Sequence, residues 1–215
     1  MSRDDTNRTR ARYNRIAPIY DVMEALVERL AFRRWRRQLW SCVEGERVLE
    51  VGIGTGKNVP YHPAGAKVTA IDVSERMLAR ARGRIHDLDA DVALALMDAE
   101  RLGFSDAAFD AAVATFVFCS VPNPVRGLRE VNRVVKPGGR IMLLEHVRVN
   151  AAVVGPLMDL LDPIVLRLMG PHINRRTVEN VRRAGIEIEK VERLAAGGLV
   201  KMIFARSRGR KQAYG

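Results

Sequence analysis

From residue 47 onward the chain alternates between short apolar runs and amphipathic stretches. RVLEVGIG (47–54), KVTAIDVS (67–74), DVALALMDA (91–99), FDAAVATFVF (109–118) and RIMLLEHVR (140–148) are dominated by Val, Ile, Leu and Ala. Runs of this kind predict strands covered on both faces, the mark of a parallel sheet. Between them, SERMLARARGRI and PVRGLREVNRVVK carry apolar residues at helical spacing, with Ser74 as N-cap of the first and Pro137-Gly138-Gly139 ending the second. The alternation predicts an α/β, Rossmann-like, doubly wound sheet with helices on both faces. Near the end, IEIEKVERL and LVKMIFARS are joined by AAGG (195–198). That reads as a hairpin, which adds one antiparallel edge strand.

Two regions fall outside this core. Residues 1–44 contain a predicted amphipathic helix over about 22–43, and 151–170 form an apolar, Pro-interrupted stretch. Both are expected above the carboxyl ends of the strands, where open α/β sheets bind ligands. The predicted organisation is one domain over 1–215. It comprises an N-terminal membrane or lid region (1–44), a ligand-binding core (45–150), a cap insertion with a helix (151–185) and a C-terminal hairpin (186–207).

Composition narrows the partners. The 215 residues carry a formal net charge of +11, which attracts an anionic partner: nucleic acid, a membrane surface or an acidic substrate. Cys42 and Cys119 are the only cysteines, so neither a disulfide framework nor a metal site is expected, and a reducing, cytoplasmic compartment is. The charged N-terminus lacks the apolar core of a signal peptide. No run reaches the roughly 20 apolar residues of a membrane-spanning helix; residues 151–170 are broken by Asp159, Asp162, Pro163 and Arg167.

The chemistry concentrates in Glu50-Val-Gly-Ile-Gly-Thr-Gly56. Its glycine spacing is G-x-G-x-G, with Lys57 where a dinucleotide fingerprint has its third glycine, and no P-loop frame exists. Glu50, just ahead of the loop, would repel a phosphate but organise the loop around an ammonium or sulfonium. Asp72 ends the second strand about 20 residues beyond Gly52, suited to a ribose diol. Asp98, at the end of the third, is placed to accept from an adenine amino group. A carboxylate-flanked loop without a phosphate partner, a ribose acid and an adenine acid together describe S-adenosylmethionine (SAM).

VLEVGIGTGKN, VTAIDVSERMLARAR, DAERLGFSDAAFDAAVATFVFCSV and LREVNRVVKPGGRIMLLEH resemble the successive motifs of the class I SAM-dependent methyltransferases, over about residues 12–206. The resemblance implies seven strands in the order 3-2-1-4-5-7-6 and S-adenosylhomocysteine (SAH) as product. It implies that Glu50, Gly52, Gly54 and Gly56 wrap the methionine end of SAM and that Asp72 holds the ribose. Val73 and Met77 would pack near the adenosine, Met97, Asp98 and Ala99 would frame the adenine, and Thr115 and Phe116 would close the site beside the sulfonium.

The acceptor is written outside these motifs. YNRIAPIYDVMEALVERLAFRRWRRQLW, with Tyr13, Ala17, Tyr20 and Asp21 as its core pattern, resembles the N-terminus of the ubiquinone and menaquinone C-methyltransferases and of the related bacterial phosphatidylethanolamine N-methyltransferases. EHVR and LLDPIVLRLMGPHINRRTVENVRRAGI are similar to that group and to membrane-associated thiol methyltransferases; Glu145-His146 and Asn174-Arg175 point away from a quinol. The implied reaction is stepwise methylation of phosphatidylethanolamine towards phosphatidylcholine. The alternatives are a quinone C-methyltransferase, a small-molecule or thiol methyltransferase, and a non-enzymatic SAM-binding scaffold at a membrane.

The helix over 22–43 fits a lipid acceptor. Met23, Leu26, Val27, Leu30, Trp35, Leu39 and Trp40 make its apolar side, while Arg29, Arg33, Arg34, Arg36 and Arg37 cluster in its second half. A basic amphipathic helix with Trp suits the headgroup region of an anionic membrane, which implies peripheral attachment at the inner face of the cell membrane. The plainer reading is an apolar side covering the core and a solvated Arg side. A nucleic-acid surface lacks the surrounding basic residues and stacking aromatics it needs, so no nucleic acid is expected. Tyr13 and Tyr20, with Phe116 and Phe118, are candidates to line the acceptor cavity, since aromatic faces accommodate methylated ammonium groups; packing is the alternative for each. His146 is a candidate proton shuttle or phosphate donor, and Arg175 and Arg176 are candidates to grip a lipid phosphate or else mark a solvated helix start. Cys119 reads as a small buried apolar residue.

Overall fold

The computed structural model describes residues 3–27, 32–147, 160, 175–195 and 198–209. Its frame is a seven-stranded sheet in the expected order β3-β2-β1-β4-β5-β7-β6. The strands are β1 (Arg47–Val51), β2 (Lys67–Asp72), β3 (Val92–Leu96), β4 (Phe109–Thr115), β5 (Val135–His146), β6 (Glu187–Arg193) and β7 (Val200–Arg206). β1 to β5 pair in parallel, and β7 runs antiparallel to both β5 and β6. The antiparallel strand is therefore enclosed, not at the edge as the hairpin suggested. The two patterns explain the order: β7 is mostly buried, whereas β6 is mostly exposed and takes the edge.

Side chains of period two divide the core between the two faces of the sheet. Leu49, Val51, Ala112, Ala114, Ile141, Leu143 and Ile203 point to the face covered by α4 (Pro124–Val134) and α5 (Thr177–Arg183). Val48, Val68, Ala111, Val113, Met142, Leu144 and Met202 point to the other, covered by α2 (Arg33–Trp40) through Leu39 and Trp40. On the same side α3 (Glu75–Asp87) packs Leu78 and Ala81 over Ala70. Ser74 caps α3 as expected, accepting from the Met77 amide. The face belonging to Glu50 is thus the α2 face, and that of Glu145 the α5 face.

Two expectations are corrected. The described parts of the helix predicted over 22–43 are the end of α1 (Arg3–Val27) and α2, and α1 begins far earlier than the sequence pattern indicated. Tertiary contacts explain the early start: Ile16 and Ala17 pack on Met77, and Asn14 Oδ1 accepts from Ser74 Oγ. Pro18 lies inside α1 and has no amide to give the Asn14 carbonyl, which instead accepts from Arg76 Nη1 at 3.2 Å. Residues 28–31 and the side chains of Met23, Leu26 and Val27, which belong to the expected apolar stripe, lie outside the described part. Finally, Pro137-Gly138-Gly139 does not simply end α4. It forms an irregularity inside β5, between the pairs Phe109–Val135 and Ala111–Arg140. The cap insertion falls largely on residues that are not described. No described helix is long and apolar enough to cross a membrane.

A Cβ on Gly139 would lie 2.5 Å from the Asp110 carbonyl oxygen, whereas one on Gly83, in the exposed face of α3, meets nothing within 4 Å. Gly139→Ala is expected to destabilise the fold by about 1–3 kcal/mol, and Gly83→Ala to stabilise it by about 0.5–1 kcal/mol. Urea unfolding of the two variants, with unchanged slope, checks the pair.

Candidate functional site

An open cleft lies at the carboxyl ends of β1, β2 and β4, with residues of α1 along one wall. The chain enters it from β1 through a loop whose three glycines all have positive φ: 69° at Gly52, 58° at Gly54 and 81° at Gly56. A Cβ on Gly52 would sit 2.4 Å from Val117 Cγ2, so only glycine lets this loop pass the one after β4. Gly54 faces open space, while Gly56 packs on Ala81 of α3 and does not line the cleft. After the loop comes a short 3-10 turn, Val59–Tyr61, and not an α-helix. The helix N-terminus that carries a pyrophosphate in dinucleotide sites is missing here, among the described residues.

Glu50 does not touch the cleft, which corrects its expected place around the ligand. Its side chain is 0% exposed, and it lies behind the loop. Oε1 accepts from Asn58 Nδ2 at 2.6 Å and Oε2 pairs with His62 Nε2 at 2.9 Å. Asn58 Nδ2 also reaches Thr115 Oγ1 at 2.8 Å, and Arg36 Nη1 donates to both Asn58 Oδ1 and Thr115 Oγ1 at 2.8 Å. The network therefore joins α2, the glycine loop and the end of β4.

Arg36 is the largest correction on α2. It was expected on a solvated, membrane-facing side but is only 5% exposed and lines the cleft, its guanidinium 5.5 Å from the Phe116 ring centre. Helical spacing gives the reason: Arg36, Leu39 and Trp40 share the buried face. Trp40 is likewise removed from any membrane surface, its ring 4.5 Å from His62. Trp35 is half-buried against Phe32, and Arg33, Arg34 and Arg37 are exposed.

At the far end of the cleft, Asp72 Oδ2 accepts from the Gly54 amide and Oδ1 from the Ser74 amide, both at 2.9 Å. Burial pushes its carboxyl up to about 6 against these bonds. Asp98 lines the same cleft, with Oδ1 accepting from the Glu100 amide and Oδ2 from Thr6 Oγ1 at 3.0 Å. Val73, Met77, Met97 and Ala99 supply apolar surface between the two acids. Thr115, Phe116, Tyr13 and Tyr20 are also brought to the cleft. Phe116 is a non-glycine residue at φ 58°, a strained conformation typical of functional sites.

Other candidates fall elsewhere. His146 does not line the cleft but stacks behind Phe116, ring centres 4.5 Å apart. Phe118 is fully buried in the core. Arg175 donates to the carbonyls of Cys119 and Val121, and Arg176 lies in solvent 3.9 Å from Glu179, the solvated helix start that was its alternative. Cys119 is buried, with its thiol pushed up by burial.

The sequence reading missed Thr6, Thr9, Lys57 and Ser120, all on the cleft. Tyr13 Oη and Ser120 Oγ are 2.6 Å apart, and Lys57 Nζ lies 5.2 Å from the Tyr20 ring centre. Thr6, Thr9 and Tyr13 form a helical stripe, a signal that becomes visible once α1 is known to start at Arg3. Glu145 was also missed as a site element; it is 0% exposed and accepts the amides of Val117 and Phe118 on Oε1, both at 2.9 Å. Burial pushes its carboxyl up to about 7.

Two separated carboxylates joined by apolar walls, and a glycine loop without a phosphate cradle, fit a nucleoside bearing a cationic tail. Comparison with known proteins agrees. The family described as Methyltransferase domain matches residues 49–143. The chain is 34% identical over 174 residues to the demethylmenaquinone methyltransferase of Renibacterium salmoninarum, covering 79% of this chain and 70% of that one. It is 42% identical over 104 residues to the phosphatidylethanolamine N-methyltransferase of Cereibacter sphaeroides, covering 47% of this chain and about half, 51%, of that protein. A SAM-dependent methyltransferase of Thermotoga maritima, described as a possible histamine N-methyltransferase, shares the fold with a TM-score of 0.68 at 24% identity, over 91% of this chain and 98% of that one. The chain belongs to the class I SAM-dependent methyltransferases, and its cofactor is SAM.

A pH dependence of cofactor binding is expected from Asp72. With this carboxylate in its expected place at the ribose, the hydroxyls would donate to its ionised form, and a proton held there would have to leave before SAH binds. Affinity would then be half its full value at about pH 6 and full from about one unit above it. Below the midpoint it should fall by up to about tenfold per pH unit. Calorimetric SAH titrations across this range check the slope, and Asp72→Asn should bind weakly with no such slope.

Proposed function

We propose that the chain methylates the amino group of phosphatidylethanolamine stepwise, giving the mono-, di- and trimethylated lipids, at a membrane surface. One observation carries this reading: Asp72 and Asp98 are the only carboxylates among the described lining residues, and both belong to the strand ends suited to adenosine. The opposite wall offers Tyr13, Tyr20, Thr115, Phe116, Arg36 and Lys57. A carbon acceptor needs a base strong enough to remove a proton, whereas an amine needs only to arrive neutral.

SAM supplies a methyl group made electrophilic by its sulfonium. Asp72 would hold the ribose, and Asp98 would take the adenine amino group in place of the Thr6 hydroxyl, with Val73, Met77, Met97 and Ala99 around the adenine. Arg36 and Lys57 would face the carboxylate of the methionine end. Thr115 and Phe116 flank the transfer position, and the Tyr13–Ser120 pair offers lone pairs to the N–H of the acceptor. Phe116 separates His146 from the cleft, so His146 enters this scheme as a packing partner of that ring. Alignment and exclusion of water supply the rate.

For the membrane, the exposed Arg33, Arg34 and Arg37 remain, each contributing about 1 kcal/mol near anionic headgroups. The second reading is quinone C-methylation, favoured by the broad similarity to a demethylmenaquinone methyltransferase.

Expression in a bacterium that makes phosphatidylethanolamine but no phosphatidylcholine tests the acceptor. Extracted lipids should contain methylated ethanolamine headgroups. Their absence, with protein that binds SAH, contradicts the proposal, and methylation of a demethylquinone by the same protein would establish the second reading. Separately, the Arg33→Gln, Arg34→Gln, Arg37→Gln triple variant should lose up to about 100-fold in partitioning to phosphatidylserine-containing vesicles, with SAH affinity unchanged.

A further inference from the structure

The segment Phe116–Val121, between β4 and α4, supplies Phe116, Val117, Ser120 and Val121 to the cleft. Its first residue is left-handed without being glycine, a conformation that persists only where the surroundings over-determine it. The Phe116 amide donates to the Leu144 carbonyl at 2.7 Å. The next two amides, of Val117 and Phe118, converge on a single oxygen of Glu145. Farther along, the carbonyls of Cys119 and Val121 accept from Nε and Nη2 of Arg175, at 3.3 and 3.1 Å. Neither Glu145 nor Arg175 lines the cleft.

We propose that Glu145 and Arg175 are positioning residues that clamp this segment, an acid on its amides and a base on its carbonyls, and so fix the wall against which methyl transfer is aligned. The division of labour follows from polarity. A carboxylate accepts and a guanidinium donates, so together they satisfy both kinds of backbone group along one irregular turn. The amides also make the charge of a fully buried Glu145 tolerable, and the Cys119 amide and thiol beside it act in the same direction. Glu145 comes from the end of β5 and Arg175 from the residues just before α5, so the wall is tied to the sheet and to the chain that follows the cap insertion. This gives Arg175 a role unlike a grip on a lipid phosphate. The effect on cofactor binding rests on the SAM site alone, and the effect on turnover rests on the proposed acceptor.

The test compares Glu145→Gln, Glu145→Ala, Arg175→Ala and wild type by amide hydrogen exchange, SAH calorimetry, and kcat and KM with phosphatidylethanolamine vesicles. Glu145→Gln keeps a carbonyl oxygen for both amides and should resemble wild type. Glu145→Ala should speed exchange at Val117 and Phe118 by about tenfold or more while Leu143 stays protected. Its SAH affinity should fall about three- to tenfold and its kcat about 10- to 100-fold, as a displaced wall implies. Arg175→Ala should lower kcat more than it raises the KM for vesicles; the reverse pattern restores the phosphate grip and overturns the clamp. Unchanged exchange and SAH affinity in Glu145→Ala and Arg175→Ala would overturn it whatever the acceptor is. Should wild type leave the vesicles unmethylated, the acceptor reading fails, and exchange with SAH affinity decides the clamp.

Discussion

The site is organised around a carboxylate that does not line the cleft. Glu50 is wholly enclosed, and its two oxygens are taken by Asn58 and His62. A charge so placed is very costly unless its partners are present and well aligned. Those partners are in turn fixed from elsewhere: Asn58 by Arg36 and Thr115, and His62 by the ring of Trp40. The glycine loop, α2 and the end of β4 consequently form one unit. Displacing any of them leaves a buried polar group without its partner.

A second carboxylate plays the corresponding part on the opposite face of the sheet. Glu50 near the end of β1 faces α2, and Glu145 near the end of β5 faces α5, each reaching into the irregular chain beyond the strand ends. Between them lies the cleft, whose own acids, Asp72 and Asp98, stand at the end of β2 and in the loop after β3. The ends of β1, β2 and β5 and the loop after β3 thus each supply a carboxylate, two lining the cleft and two within the scaffold. An open parallel sheet directs these ends to one edge, and that geometry lets residues far apart in sequence share a site.

Much of this was legible in the sequence because it is local. The apolar runs marked β1 to β5, and Asp72 and Asp98 stand at or just after strand ends, so the alternation that located the strands also located the acids. The positive φ of Gly52 and Gly54 follows from the residue type. Arg36 was misread because a run of arginines looks like a solvated face; its burial depends on Asn58 and Thr115, 22 and 79 residues away. Glu50 is expected at the ligand from its place before the loop, and nothing local reveals that Asn58 and His62 take its two oxygens. α1 was hidden by its polar composition and by Pro18, whose cost is offset by Arg76. The roles of Glu145 and Arg175 depend on a loop conformation that no sequence period encodes.

The buried network and the cofactor cleft behave as one cooperative structure. A double-mutant cycle on SAH binding, with Arg36→Ala, Asn58→Ala and the pair measured by calorimetry, tests it most directly. The two substitutions should be strongly non-additive, with a coupling of about 1 kcal/mol or more. Losses that simply add would contradict the claim and reduce the network to independent packing contacts.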